Sequence, residues 1–219
     1  MRIILLAPPA AGKGTEAQLL EQEYSIPHIS TGDLLRNAIQ KNNVFSKEIQ
    51  KTIEKGDFVS DEIVIKLIEE RIANDDCKNG YILDGFPRNI SQAQKYNEML
   101  DNNLDNLYVF VIDMDKEIAK SRIIGRRSCP KCGRVYNINF KPLTPKKNNL
   151  CDDCGIELIK RPDDNVMTLD ERYNEYLLKT APLIDYYKKK SIAYFINGNL
   201  NKYYTHDQIN KILNNNKVI

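Results

Sequence analysis

The residues with the most pronounced chemistry in this chain are a phosphate-loop-like segment near the start and two cysteine pairs near the middle. The segment reads Ala7-Pro8-Pro9-Ala10-Ala11-Gly12-Lys13-Gly14-Thr15 and joins an apolar run to helical sequence. A strand, a tight loop and a helix start expose successive backbone N–H groups, and the helix dipole adds partial positive charge, so such a loop can cradle phosphate. Lys13 adds a mobile ammonium. The general pattern asks for glycine where Ala7 stands and for Ser or Thr directly after the lysine, yet Gly14 separates Lys13 from Thr15. On pattern alone a plain strand–helix turn fits equally well. The cysteines give a stronger signal. Cys129-x-x-Cys132 and Cys151-x-x-Cys154 have the spacing of a four-thiolate zinc site, and Gly133 and Gly155 follow each pair as tight turns require. A disulfide framework is the competing reading and belongs to oxidising compartments. Four thiolates close the coordination sphere, so the zinc reads as structural. The segment around it is too small to bury a core, and the metal would supply its folding free energy. Cys77 stands apart and reads as a structural thiol.

These groups need a scaffold, and the rest of the chain supplies one. With 219 residues and 42% hydrophobic content, the chain can build one α/β core with small insertions. Candidate strands at 2–6, 27–30, 81–84, 107–113 and 193–196 alternate with helical patterns, and three of these runs are almost continuously apolar, as both-face burial demands. Residues 61–73 form an amphipathic helix with Val64, Leu67, Ile68 and Ile72 on one face and Ser60 or Asp61 as N-cap. Residues 168–190 read as a long helix broken or kinked at Pro182. The alternation predicts a five-stranded parallel, doubly wound sheet of the P-loop type, with ligands at the carboxyl ends of its strands. Two stretches depart from it: 31–59 is helical throughout, and 128–160 is turn-rich. The expected organisation is a core of 1–29, 60–125 and 162–219, a helical insertion at 30–59 and a metal-binding lid at 126–161. Residues 146–149 read as a loop tip, and 214–216 as a fraying tail.

Charge narrows the function. Lysine plus arginine number 32 against 30 acids, a net charge of +2, which lacks the basic excess of a dedicated nucleic-acid binder. The first apolar run is too short for a signal-peptide core, and no stretch approaches the roughly 18 apolar residues of a membrane span. The chain therefore reads as cytoplasmic with no membrane partner.

Several motifs in order resemble one family. Gly12-Lys13-Gly14-Thr15 is followed by Ser30-Thr31-Gly32-Asp33-Leu34-Leu35-Arg36, then by Asp84-Gly85-Phe86-Pro87-Arg88. Gly125-Arg126-Arg127, Arg161-Pro162-Asp163-Asp164 and Thr180-Ala181-Pro182-Leu183-Ile184 complete the series. This order is similar to the adenylate kinases across essentially the whole chain, and D-G-F-P-R is a specific marker. The resemblance implies reversible phosphoryl transfer between ATP and AMP, giving ADP, with Mg²⁺, in a monomer. It implies a helical AMP-binding insertion at 30–59 and, in long-lid members, a zinc-bearing lid.

Residue by residue, the resemblance implies that Ala10, Ala11, Gly12, Lys13, Gly14, Thr15, Arg122, Arg126, Val135, Tyr136 and Leu200 serve ATP, Leu200 through its backbone. Thr31, Arg36, Asp57, Phe58, Val59, Gly85, Phe86, Pro87, Arg88 and Gln92 would serve AMP, with Arg161 and Arg172 closing across the transferring group. Phosphoryl transfer needs positioning and charge neutralisation more than covalent chemistry, which is why Lys13, Arg88, Arg126, Arg161 and Arg172 count as catalytic. An arginine fork matches phosphate oxygens in a way lysine does not. Asp84 suits Mg²⁺, which keeps most of its waters, so Asp84 and Thr15 would act through water. Asp163 and Asp164 are expected in hinge and lid contacts, while His28 and His206 read as structural. Two other readings stand beside this one. The altered loop could mark a nucleotide binder of reduced or lost activity, and Lys131, Arg134, Lys141, Lys146 and Lys147 could make the lid a zinc-ribbon module for nucleic acid.

Overall fold

The apolar runs become the strands that their pattern requires. In a computed structural model describing residues 1–40, 45–54, 59–160 and 164–215, strand β1 (Arg2–Leu6) buries Ile3, Ile4, Leu5 and Leu6. Strands β2 (His28–Ser30), β3 (Tyr81–Asp84), β4 (Leu107–Asp113) and β7 (Ala193–Asn197) complete a five-stranded parallel sheet of order β2-β3-β1-β4-β7. Burial on both faces explains why β1 and β4 lack polar alternation, whereas the edge strand β7, expected to be covered on both faces, buries Ile196 and leaves Phe195 exposed. Leu5 lies opposite Asp84 and Ser30 opposite Asp84, so β1, β2 and β3 end level.

By packing, the chain forms two compact units. One comprises Met1–Leu6, Leu20–Phe110 and Lys179–Tyr194, the other Ala7–Leu19, Val111–Leu178 and Phe195–Ile219. The first holds helices α2 (Thr31–Gln40), α3 (Ser46–Glu54), α4 (Asp61–Ile72), α5 (Ile90–Met99) and α8 (Pro182–Lys188). Its core includes Ile68, Ile82, Tyr96 and Tyr187. Phe86 meets Tyr96 edge to face with ring centroids 5.7 Å apart, and the Tyr81 and Tyr96 hydroxyls bond at 2.9 Å. Helix α4 begins after Ser60, which makes no side-chain capping bond, whereas Asn89 caps α5 by accepting from the Gln92 backbone N–H at 2.8 Å. Cys77 is buried beside Arg71, whose guanidinium donates to its sulfur at 3.1 Å, and burial raises the thiol pKa. A structural thiol fits that setting.

The second unit holds helices α1 (Lys13–Tyr24) up to Leu19, α6 (Lys116–Gly125), α7 (Val166–Glu175) and α9 (Lys202–Asn215). The antiparallel pair β5 (Arg126–Ser128) and β6 (Val135–Asn137) leads into the cysteine segment. His206 on α9 bonds the buried Glu16 carboxylate on α1 at 2.7 Å, a structural tie. The expected long helix at 168–190 is in fact α7, a π-helical turn (Tyr176–Thr180) and α8. Pro182 starts α8 because its fixed φ and missing N–H suit a first turn. The tail also differs from expectation: α9 includes residues 214 and 215, where Leu213 is buried and anchors the last turn. Among the described residues, no helix is long and apolar enough to cross a membrane.

Candidate active site

In the second unit the phosphate loop closes as a turn. The Ala11 N–H donates to the Pro8 carbonyl at 3.3 Å, with Pro9 and Ala10 at the two corners. Ala10 has φ +63°, the left-handed conformation that the third position of such a turn usually gives to glycine. Ala7 is buried and does not share that conformation. Alanine in that conformation carries roughly 1 kcal/mol of backbone strain. Gly12 carries φ +93°, which a side chain rarely adopts. Lys13 Nζ donates to the Ala7 carbonyl at 2.7 Å and the Pro8 carbonyl at 3.2 Å, so the ammonium bridges back across the loop. Thr15 follows in the first turn of α1.

Arg122 on α6 lies next to this loop, its Nη1 4.0 Å from where a Cβ on Gly12 would sit. Its Nη2 donates to the carbonyls of Gly198 at 3.2 Å and Leu200 at 2.7 Å. The Leu200 side chain is half exposed, and its contact with Arg122 runs through the backbone carbonyl. The Arg122 guanidinium stacks 5.4 Å from the Phe140 ring centroid, and burial lowers its pKa. Arg122 and Phe140 border a cavity of about 470 Å³ together with Ile118, Ser121, Asn139 and Asn199. A cationic plane opposite an aromatic ring, at the edge of an apolar cavity, suits a planar base. Arg126 on β5 grips Asp164 through Nε at 2.9 Å and through Nη2, and Asp164 is buried. That is the lid contact expected of Asp164. Arg172 sits exposed on α7.

The four cysteine sulfurs lie within 4.8 Å of one another. Cys132 and Cys151 Sγ are 3.7 Å apart, close to the edge of about 3.8 Å that a tetrahedron of 2.3 Å zinc–sulfur bonds would have. The donor set therefore fits zinc. The Cys132 and Cys154 N–H groups donate to Cys129 and Cys151 Sγ at 3.5 and 3.4 Å, which turns each pair inward. Around them Cys129, Tyr136, Cys151 and Leu158 form a miniature core. Tyr136 is buried there, its hydroxyl donating to Cys151 Sγ at 3.5 Å and accepting from the Asp152 N–H at 2.7 Å. That ring packs in the lid core. Val135 precedes it on β6, half-buried.

The first unit gathers another group at the ends of β2 and β3. Gly85 has φ +82°, and a Cβ there would approach Arg88 Nη2 at 3.3 Å and Thr31 Oγ1 at 3.6 Å. Glycine lets the backbone pass between those two side chains. Arg88 Nε donates to the Gly85 carbonyl at 2.9 Å, and Thr31 Oγ1 donates to the Asp84 carbonyl at 3.3 Å. The Arg88 carbonyl accepts from Thr180 Oγ1 at 2.9 Å. Gln92 is buried beside them, its Oε1 accepting from the Arg88 N–H at 2.8 Å. Val59 is buried, and so is Phe86, whose ring belongs to the core, while Pro87 is reached through a cis peptide bond. Arg36 folds back onto Asp33 and stays largely exposed. His28 Nε2 lies 3.3 Å from Asp84 Oδ2.

A profile of the adenylate kinases matches residues 5–192. The chain belongs to the adenylate kinase family. Sequences named adenylate kinase from Clostridium tetani (42% identical, 97% of this chain and 98% of the relative), Archaeoglobus fulgidus (46%, 90% and 91%) and Kosmotoga olearia (44%, 98% and 100%) are among its relatives. Thr31, Gly85, Arg88 and Gln92 lie in one compact unit, and the loop, Arg122 and the cysteines lie in the other. Asp57, Phe58, Arg161 and Asp163 lie outside the described residues. The sequence carries no local signal that pairs Phe140 with Arg122 or brings Asn199 to the same cavity. It also gave His28 no link to Asp84, since the pair is far apart in the chain and meets only through β2–β3 pairing.

Proposed function

We propose that this family member catalyses reversible phosphoryl transfer, ATP + AMP = 2 ADP, with Mg²⁺. The observation that carries the reading is the Arg88 cluster: a guanidinium anchored on the Gly85 carbonyl, with a buried amide at Gln92 bonded to the same turn. Arg88 and Arg36 hold the AMP phosphate, and Thr31 and Gln92 read its base. The loop of Ala10–Thr15 with Lys13 receives the ATP phosphates, and the Arg122–Phe140 pair receives its base. Arg126, Arg161 and Arg172 neutralise charge on the transferring group. Asp84 and Thr15 are the oxygen donors for Mg²⁺, and their hard oxygens suit that ion, which supplies further charge neutralisation when bound. No general base is required, because the attacking atom is already a phosphate oxygen. Zinc stabilises the lid, and the three-part organisation into core, AMP-binding insertion and lid follows from these roles. Reduced thiols in two C-x-x-C pairs support a cytoplasmic setting, and the family resemblance supports a monomer.

The nucleic-acid reading is disfavoured by the lid itself. Arg134 is neutralised by Asp153 at 2.6 Å, Tyr136 is buried, and Phe140 faces Arg122, so the stacking platforms such binding uses are already engaged.

A coupled assay of ADP formation with a panel of monophosphates tests the substrate. AMP should be the preferred acceptor, with UMP and CMP at least roughly tenfold less efficient, since a mispaired buried amide forfeits its hydrogen bonds. Comparable rates for UMP would place the chain in another branch of the monophosphate kinases. The altered loop has its own test. Ala10→Gly relieves the left-handed alanine, and the change in kcat/KM should stay below about tenfold, matching strain of roughly 1 kcal/mol. A gain above about a hundredfold would show that the natural loop is crippled and that the reduced-activity reading is correct.

A further inference from the structure

Gln92 is held by two partners of opposite hydrogen-bonding character. The Arg88 backbone N–H, which can only donate, meets Oε1 at 2.8 Å. The Asp61 carboxylate meets Nε2 at 2.6 Å through Oδ1. An ionised carboxylate only accepts, so chemistry fixes which end of the amide is nitrogen. Asp61 is itself held in place. Asn89 Nδ2 donates to both of its oxygens at 3.0 Å, and the Asn89 amide is fixed in turn because its Oδ1 caps α5 at the Gln92 N–H.

We propose that Asp61 is a specificity-determining positioning residue: through Gln92 it selects 6-aminopurine over 6-oxopurine monophosphates. The inference rests on the reading that Gln92 pairs with the acceptor base. An amide has two N–H groups and two acceptor lone pairs, and one of each is engaged internally. The N–H and lone pair left over match adenine, whose 6-amino group donates and whose N1 accepts. A 6-oxopurine reverses both: its O6 accepts and its N1–H donates. Pairing with it requires the amide to turn over, which would set the Gln92 oxygen against the Asp61 carboxylate and its NH₂ against the Arg88 N–H. Asp61 thus denies the competing base without touching it, a repulsive element of the kind that specificity needs.

The test measures kcat/KM for AMP and for inosine monophosphate in the wild-type chain and in Asp61→Ala, Asp61→Asn and Gln92→Ala. Asp61→Ala should lower the AMP-to-inosine ratio at least roughly tenfold, because one of the two partners fixing the amide is gone. Asp61→Asn should fall in between, since asparagine can still turn an oxygen towards Gln92 but then meets the Asn89 NH₂ with its own. It also serves if the alanine variant fails to fold. A merely structural Asp61 would depress both substrates equally and leave the ratio unchanged, and that result overturns the proposal. Gln92→Ala separates the underlying reading. If it leaves the preference for AMP over inosine monophosphate intact, Gln92 does not read the base, and the role of Asp61 falls with it. If that preference is lost while the Asp61 variants keep the wild-type ratio, only the role of Asp61 is wrong.

Discussion

Arg88→Ala should lower kcat/KM for AMP by about two to three orders of magnitude, and Arg88→Lys by at least about tenfold. The larger figure is the usual cost of truncating one partner of a desolvated charge pair. The smaller one follows from chemistry that survives in lysine: the charge stays, but the planar two-pronged match to phosphate is lost. The turn itself should persist in both variants. The Phe86 ring remains packed on Tyr96, and Thr180 bonds the backbone carbonyl of residue 88 rather than its side chain. Steady-state kinetics with each nucleotide varied in turn gives the check. The loss should appear with AMP varied, with the apparent affinity for ATP little altered. Near-normal kinetics in Arg88→Lys would reduce this arginine to a surface charge.

Cys129→Ser should remove the lid metal and lower the melting temperature by roughly 10 °C. The wild-type chain should carry about one zinc per molecule, measured by elemental analysis. Among the described residues the lid core is the small cluster around Cys129, Tyr136, Cys151 and Leu158, so a bound metal would supply much of its folding free energy. Several kcal/mol lost from a chain of this size corresponds to a drop of that order. Activity at 25 °C should survive at a measurable level, because the proposed mechanism assigns no cysteine to the chemistry. Metal-free protein with unchanged stability would falsify the zinc assignment.

The parts of this molecule that sequence made legible share a physical origin. Strands buried on both faces must be apolar, so β1 and β4 appear directly in the hydropathy of residues 2–6 and 107–113. Zinc geometry imposes short fixed spacings, so the four cysteines declare themselves, and their sulfurs do converge. Motif order carried the family and with it the grouping of Gly85, Arg88 and Gln92. What remained hidden depends on contacts between distant segments. Gln92 looks like any polar helix residue until α4 brings Asp61 to its amide, 31 positions away in the chain. Tyr136 is expected among the ATP contacts, yet its ring packs against Cys151 and Leu158 in the lid core, a contact that closes only once the two C-x-x-C segments come together. The break at 176–180 was visible only as Pro182, since a π-helical turn leaves no compositional mark of its own.

The turn of Pro8, Pro9, Ala10 and Ala11 changes what happens when a phosphate arrives. Proline enters folding with its φ already fixed, and alanine explores far fewer backbone states than glycine in the unfolded chain. Much of the conformational freedom that a glycine-rich loop would possess is therefore absent before folding begins. Ala10 carries some backbone strain as the counterpart of that early commitment. A nucleotide bound there would meet a loop with little freedom left to lose, and less of its binding free energy would go into stilling the chain.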